Sequence, residues 1–330
     1  MKKFLIIGSN SFAGSDFTDY LLSKNLKVYG VSRNKEGDKE HSRYKENKYL
    51  KNFKFYKINL NIKKDINKLI QIIKKNKINY IVNFAAQGMV AESWINPEDW
   101  YFTNIVSNSI LIKELSNLKI KKYLNFSTPE VYGHTPSLKK ESNIFMPTTP
   151  YAISRSAQDF NLMAYCKNYN FPVVFTRAAN IYGPCQQSYR IIPKIIISIL
   201  TNKKIPIHGK GNTLRSFIYM PDVSKALYKI LLDKKNIGET FHISSKKFIS
   251  ILDLVKLINK IMNIKNKNIY FVKERDGKDL KYTLDSNKVR NCYTWSENTS
   301  LEKGIINTIN WVKKNINYFK KKSLNYKHEK

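Results

Sequence analysis

Short apolar runs alternate with helix-patterned stretches through the first half of this chain, and that alternation limits its fold more than any other feature. Strands are predicted at residues 2–8, 26–32, 53–59, 80–86, 123–127 and 172–177. Helical spacing of apolar residues follows the first strand and recurs over 63–77, 97–118 and 151–168. Strands that alternate with helices pair in parallel, because each crossover lays a helix on one face of the sheet. The expected class is therefore α/β, a doubly wound parallel sheet. The rhythm changes after about residue 183. Helices near 191–202, 222–233, 250–263 and 299–316 surround short strands, which predicts a smaller mixed α/β lobe. The expected division is 1–182 for the sheet domain and 183–317 mainly for the lobe, with the return of some of its chain to the sheet left open. A basic tail over 318–330 is expected to fray.

The chain has 330 residues, enough for two such units, and 42% are hydrophobic, enough for packed cores. No stretch approaches the roughly 18 apolar residues that span a bilayer, so no membrane association is expected. The N-terminal apolar run meets glycine and polar residues too early for a signal peptide. Three scattered cysteines lack metal-like spacing, and no metal site is expected. Together these features predict a reducing, cytoplasmic setting. Lys+Arg is 58 against Asp+Glu 25, a net charge of +33. Only eight of the 58 are arginine, so 50 are lysine, spread along the whole chain. A nucleic-acid reader concentrates cations on one element, so the diffuse lysines read as solvated faces and no nucleic-acid partner is expected. Their field still favours anionic small molecules, phosphates included.

Between the first strand and first helix stand Gly8, Ser11 and Gly14 in a G-x-x-G-x-x-G spacing with serine in the middle place. A dinucleotide-binding turn needs glycine for the bend and for close helix packing, and presents a helix N-terminus to the pyrophosphate. The second strand ends in Ser32 and Arg33, without the carboxylate that would bond a ribose 2′-hydroxyl. Serine and arginine suit a 2′-phosphate, which leans the expectation towards NADP over NAD. The alternative, that Arg33 is one more basic surface residue, stays open.

Thr128, Pro129 and Glu130 follow the fifth strand, and Tyr151 and Arg155 open the next long helix. With 83–87, 103–104, 177–184, 207–218 and 275–282, they make an ordered pattern. The chain resembles the extended short-chain dehydrogenases/reductases of the NAD-dependent epimerase/dehydratase family, and within them the dTDP-glucose 4,6-dehydratase-like nucleotide-sugar 4,6-dehydratases. The resemblance spans nearly the whole chain and implies a Rossmann fold and a homodimer pairing the helices at 97–118 and 151–168. It implies an NAD(P) cofactor held by Gly8, Ser11, Phe12, Gly14, Ser32, Arg33, Asn59, Leu60, Ala85, Ala86, Tyr151 and Arg155. It also implies a nucleotide-diphosphate sugar held by Gln87, Asn180, Arg190, Arg215, His242 and Arg275.

The implied chemistry needs a tyrosine that takes the sugar O4 proton, with a cation one helical turn on to lower its pKa. Tyr151 and Arg155 have that spacing, although the family usually carries lysine at the second place. Thr128 matches a hydroxyl that also bonds O4, and Glu130 the base for the C5 proton. Pro129 stands where dTDP-glucose dehydratases carry an aspartate acid. His242 stands where asparagine is frequent, and a lone His in an apolar strand is more often packed than ligand-binding. The expected reaction is 4,6-dehydration. The alternatives are a 4-epimerase or a UDP-glucuronate decarboxylase of the same fold, or a non-catalytic nucleotide-binding protein.

Overall fold

In β1 (Lys3–Ile7) successive side chains serve opposite faces. Phe4 and Ile6 enter one core, and Leu5 and Ile7 the other. The strand is an unbroken apolar run because helices cover both sides. β4 (Tyr80–Asn83), β5 (Lys122–Ser127) and β6 (Val173–Ala178) at the sheet centre are likewise buried, though they carry polar residues such as Asn83, Asn125 and Arg177. The computed structural model describes residues 2–135, 137–264, 269–274 and 283–328. With β2 (Lys27–Ser32) and β3 (Phe53–Lys57) these strands form a wholly parallel sheet. The chain after β6 gives β7 (Asn180–Tyr182), β8 (Ile205–His208), β9 (Leu214–Arg215), β10 (Phe217–Tyr219), β11 (Thr240–Ile243), β12 (Ile249–Ser250) and β13 (Ile269–Val272). Of these, β11 returns to the sheet beside β6, giving the seven-strand order β11-β6-β5-β4-β1-β2-β3.

One face is covered by α1 (Phe12–Ser23) and, from the later half of the chain, α7 (Met220–Leu232). The other carries α2 (Lys63–Asn76), α3 (Pro97–Tyr101), α4 (Asn108–Ser116) and α5 (Pro150–Tyr169). The lobe core is built by α6 (Ile191–Leu200), α8 (Ile251–Ile261), α10 (Leu301–Lys314) and α11 (Ile316–Lys320). The short α9 (Asn287–Tyr293) packs beside β11. No helix among the described residues is long and apolar enough to cross a membrane.

The structure departs from the sequence-based expectation in two places. The helix expected over 97–118 is broken by a π-helical stretch, Phe102–Ser107, between α3 and α4. Asn108 bonds the Thr103 carbonyl at 3.0 Å there, and Asn104 turns its amide out of the helix toward a loop. Such widened turns recur at functional sites because they redirect one side chain. The tail from 318 does not fray as far as residue 328. Phe319 is buried in the lobe core, and 321–328 run back over the sheet domain, where His328 stacks on Trp100 with ring centroids 4.9 Å apart.

Candidate active site

The C-terminal ends of β1, β4, β5 and β6 open into a cleft of about 770 Å³ between sheet and lobe. Chain reversal on either side of a parallel sheet leaves such a crevice. Gly8 ends β1 at φ +83°, and a side chain on it would meet the Ala85 backbone. A Cβ on Gly14 would run into the Gly8 carbonyl oxygen. Ser11, in the middle place of the turn, caps α1 by accepting the Gly14 N–H at 3.0 Å. The serine thus keeps the turn closed, and no acidic residue stands in the first turn of α1. Ser32 ends β2 and its Oγ accepts the Asn10 N–H at 2.9 Å, while Arg33 lines the cleft.

After β5, Thr128 caps a 3-10 turn, Pro129–Tyr132, and accepts the Glu130 N–H at 3.5 Å. Proline at the first turn position costs no hydrogen bond and pre-sets the backbone. Tyr151 and Arg155 lie one turn apart on α5 and reach the same cleft as Thr128 and Glu130. Enclosure pushes the Tyr151 phenol above its ordinary pKa, and the Glu130 charge pushes it further. Arg155, a hydrogen bond with Thr128 and Arg190 pull it back. Arg155 is buried and donates to the Phe126 carbonyl at 2.5 Å, which pins the cation beside the phenol. Its Nε has no hydrogen-bond partner among the described residues.

The turn is anchored from behind. Asp159, two turns beyond Tyr151 on α5, accepts from Asn125 at 2.8 Å, Ser127 at 2.7 Å and Arg177 at 2.7 Å. Arg177 also donates to the Tyr132 hydroxyl at 2.9 Å, which bonds His242 Nε2 at 2.8 Å. Burial, then the Arg177 charge, brings the His242 pKa down to about 3, so the imidazole stays neutral.

Of the residues singled out from the sequence, Ser11, Phe12, Arg33, Ala86, Gln87, Thr128, Glu130, Tyr151, Arg155, Asn180, Arg190 and Arg215 line one cleft. Gly8, Gly14, Ser32 and Ala85 form the turn beneath its floor. Asn59 and Leu60 stand at the end of β3, where Asn59 accepts the Asn61 N–H at 3.1 Å and Leu60 packs on the core. His242 is placed apart, wholly buried on β11 behind the Pro129–Tyr132 turn. Arg275 lies outside the described residues. Sequence reasoning missed Tyr326 and Lys327, which also line the cleft. The aromatic and histidine residues at 324–328 were the available signal in a lysine-rich stretch. Cys185 is buried and its thiol is pushed up to about 12 by that burial, so it stays protonated. Among the described residues no group of three or more His, Cys, Asp and Glu could hold a metal ion.

A parallel sheet with a glycine turn under a cleft, and a Tyr151–Arg155 pair beside it, defines an extended short-chain dehydrogenase/reductase. The chain belongs to the family described as GDP-mannose 4,6 dehydratase, which matches residues 5–308. It is 32% identical to dTDP-D-glucose 4,6-dehydratase of Dictyostelium discoideum, across 97% of this chain and 83% of that protein. It is 33% identical to a trifunctional UDP-glucose 4,6-dehydratase/3,5-epimerase/reductase of Arabidopsis thaliana, across 81% of this chain but only 40% of that protein's length. Among solved structures, dTDP-glucose 4,6-dehydratase from Bacillus anthracis in complex with NAD superposes with a TM-score of 0.85 at 26% identity, covering 97% of this chain and 99% of that one. UDP-glucuronic acid 4-epimerase from Bacillus cereus, in complex with UDP-glucuronic acid and NAD, gives a TM-score of 0.84 at 26% identity, covering 94% and 99%.

The Arg155 charge lowers the Tyr151 pKa, so its removal raises it. Arg155→Met is expected to shift the rising limb of the pH–rate profile to higher pH and to lower neutral-pH turnover by about 10²-fold. Arg155→Lys should keep the parent profile. Equal profiles for the Met variant and the parent would show that the charge is unimportant.

Proposed function

We propose that this chain is a nucleotide-sugar 4,6-dehydratase, converting an NDP-hexose to the NDP-4-keto-6-deoxyhexose. The observation that carries the reading is Glu130, set by the Thr128-capped turn close enough to Tyr151 for its charge to act on the phenol. A 4-epimerase has no use for a base at C5. Tyr151 takes the O4 proton, and Thr128 bonds the same oxygen. Oxidation at C4 makes the C5 proton acidic, and Glu130 removes it. Pro129 has no side-chain proton to give, so the departing 6-hydroxyl takes its proton from Glu130 or a water. Asn180, Arg190 and Arg215 offer polar and cationic groups to the nucleotide diphosphate.

The residues present fit a nicotinamide dinucleotide. Gly8 and Gly14 clear the backbone, and α1 brings its N-terminus to the cleft floor without an acid to repel phosphate. When bound, such a cofactor supplies the acceptor for the C4 hydride and its return to C6. Ser32 and Arg33 at the end of β2, with no carboxylate between them, support NADP over NAD. Arg33→Ala is expected to weaken NADP binding about tenfold, in keeping with one charge-assisted contact, and to leave NAD binding unchanged. Tighter NAD than NADP binding by the parent, together with an unaffected variant, would overturn this preference.

The chain also pairs with a second copy in this reading. Phe102 and Val106, one turn apart, and Ile153 and Phe160 on the neighbouring α5 are exposed apolar side chains on adjacent helices. Sedimentation at micromolar concentration should give a dimer; a monomer would refute the pairing.

Isotope labels test the reaction. Turnover in heavy water is expected to place deuterium at C5, and a C4-deuterated substrate to carry its label to C6. A 4-epimerase would return the label to C4 and leave C5 untouched. Glu130→Gln is expected to cut dehydration by about 10²–10⁴. Full activity in that variant, or an active substrate without solvent label at C5, would remove the case for this mechanism. A panel of dTDP-, GDP-, UDP- and CDP-sugars identifies the nucleotide.

A further inference from the structure

Residues 321–328 return across the mouth of the cleft and tie its two sides together. On the lobe side, Ser188 donates to the Ser323 carbonyl at 2.9 Å, and the Tyr189 and Tyr326 rings meet edge to face at 5.3 Å. On the sheet side, His328 stacks on Trp100 and its Nε2 bonds Asp99 Oδ2 at 2.7 Å. Tyr326 and Lys327 share the cleft wall with Tyr151 and Glu130.

Both amide hydrogens of Gln87 end on this segment. Its Nε2 donates to the Tyr326 hydroxyl at 3.0 Å and to His328 Nδ1 at 3.1 Å. Gln87 Nε2 can only donate, so His328 Nδ1 accepts from it and the ring's hydrogen sits on Nε2, directed at the Asp99 carboxylate. A glutamine side chain has two donors and one carbonyl oxygen. With both donors taken, Oε1 is what remains, and it takes no hydrogen bond from the described residues. The Gln87 backbone is clamped as well: its N–H donates to Asn104 Oδ1 at 2.8 Å, and Asn104 Nδ2 donates to its carbonyl at 3.0 Å. Asn104 is in turn tied to Ser154 of α5 at 2.9 Å. Gln87 borders the reacting end of the cleft. A Cβ on Gly88, the next residue, would lie 4.0 Å from the Arg190 guanidinium, and Arg190 is close enough to Tyr151 to act on its proton.

We infer that Tyr326 and His328 turn Gln87 into a hydrogen-bond acceptor only, so that its Oε1 selects a hydroxyl donor on the hexose of the nucleotide sugar. The inference rests on the dehydratase reading above and names the sugar contact within it. Tyr326 and His328 are positioning residues here. Without them the amide rotates freely and presents donor and acceptor alike, so the hydroxyl contact loses its preference.

Calorimetric titration of the cofactor-loaded protein tests this, with dTDP-glucose against dTDP and UDP-glucose against UDP as probes. The double variant Tyr326→Phe/His328→Phe keeps both aromatic contacts and frees the amide. It is expected to bind the sugar nucleotide about 5- to 10-fold more weakly, the worth of one neutral hydrogen bond, and the bare nucleoside diphosphate within about twofold of the parent. His328→Asn offers an amide oxygen in place of Nδ1 and should keep sugar-nucleotide affinity near the parent's. A double variant whose ratio of the two affinities equals the parent's overturns the inference, whether both affinities are unchanged or both fall. Failure of the parent to bind any nucleotide sugar would bring down the dehydratase reading itself, and this inference with it.

Discussion

The pair of Arg177 on β6 and Asp159 on α5 holds the rest of the site in place. Both side chains are fully buried, 2.7 Å apart. Two charges taken out of water are stable only if their remaining lone pairs and protons are satisfied. Asp159 meets that condition through Asn125 and Ser127 of β5; Arg177 meets it in part through the Tyr132 hydroxyl, its Nε having no hydrogen-bond partner among the described residues. The guanidinium also lies over the Tyr132 and Phe145 rings, at 5.0 and 4.9 Å from their centroids. Removing one partner of such a pair costs about 3–5 kcal/mol, because the other charge is left stranded. Satisfying this pair therefore fixes β5, β6 and α5 relative to one another. Thr128 and Glu130 ride on the turn between Ser127 and Tyr132, and Tyr151 and Arg155 on the same helix as Asp159. The placement of these four residues around the cleft follows from a buried polar contact between α5 and β6.

The doubly wound sheet was legible because short apolar runs alternate with helix-patterned stretches along the chain. The glycine turn and the Tyr151–Arg155 spacing were legible because each is local, set by backbone geometry or by one helical turn. Asp159 and Arg177 were not, since nothing in a single chain says which buried acid meets which buried base across a sheet. His242 illustrates the same limit. A position in a matching segment suggested a ligand contact, but burial and the Arg177 charge instead make it a neutral prop for Tyr132. The π-helical stretch escaped because its apolar pattern differs from an ordinary helix by one inserted residue. Residues 321–328 escaped for a compositional reason. Lysines dominate there and predict solvation, while the ordering comes from Tyr326 and His328 finding partners far away in sequence.

The lobe and the sheet domain are less separate than the change of rhythm near residue 183 suggests. Ser224 of α7 donates to Asp16 of α1 at 2.6 Å, and β11 pairs with β6. The later chain thus supplies β11 and α7 to the sheet domain and walls to the cleft. The glycine turn after β1 and the later half of the chain are thus joined through α1 and α7.

Strand β3 closes the sheet on one side, with its outer backbone edge turned away from β2. Open edges of this kind are templates for pairing between copies, the route by which sheets aggregate. Here Lys54 and Lys57 are exposed along that edge, and the short turns Lys39–His41, Arg43–Glu46 and Leu50–Asn52 precede it in the chain. A second copy approaching in register would bring ammonium against ammonium. The lysine excess that marks this chain thus acts at β3 as a guard on solubility, keeping an aromatic-rich strand from finding its like.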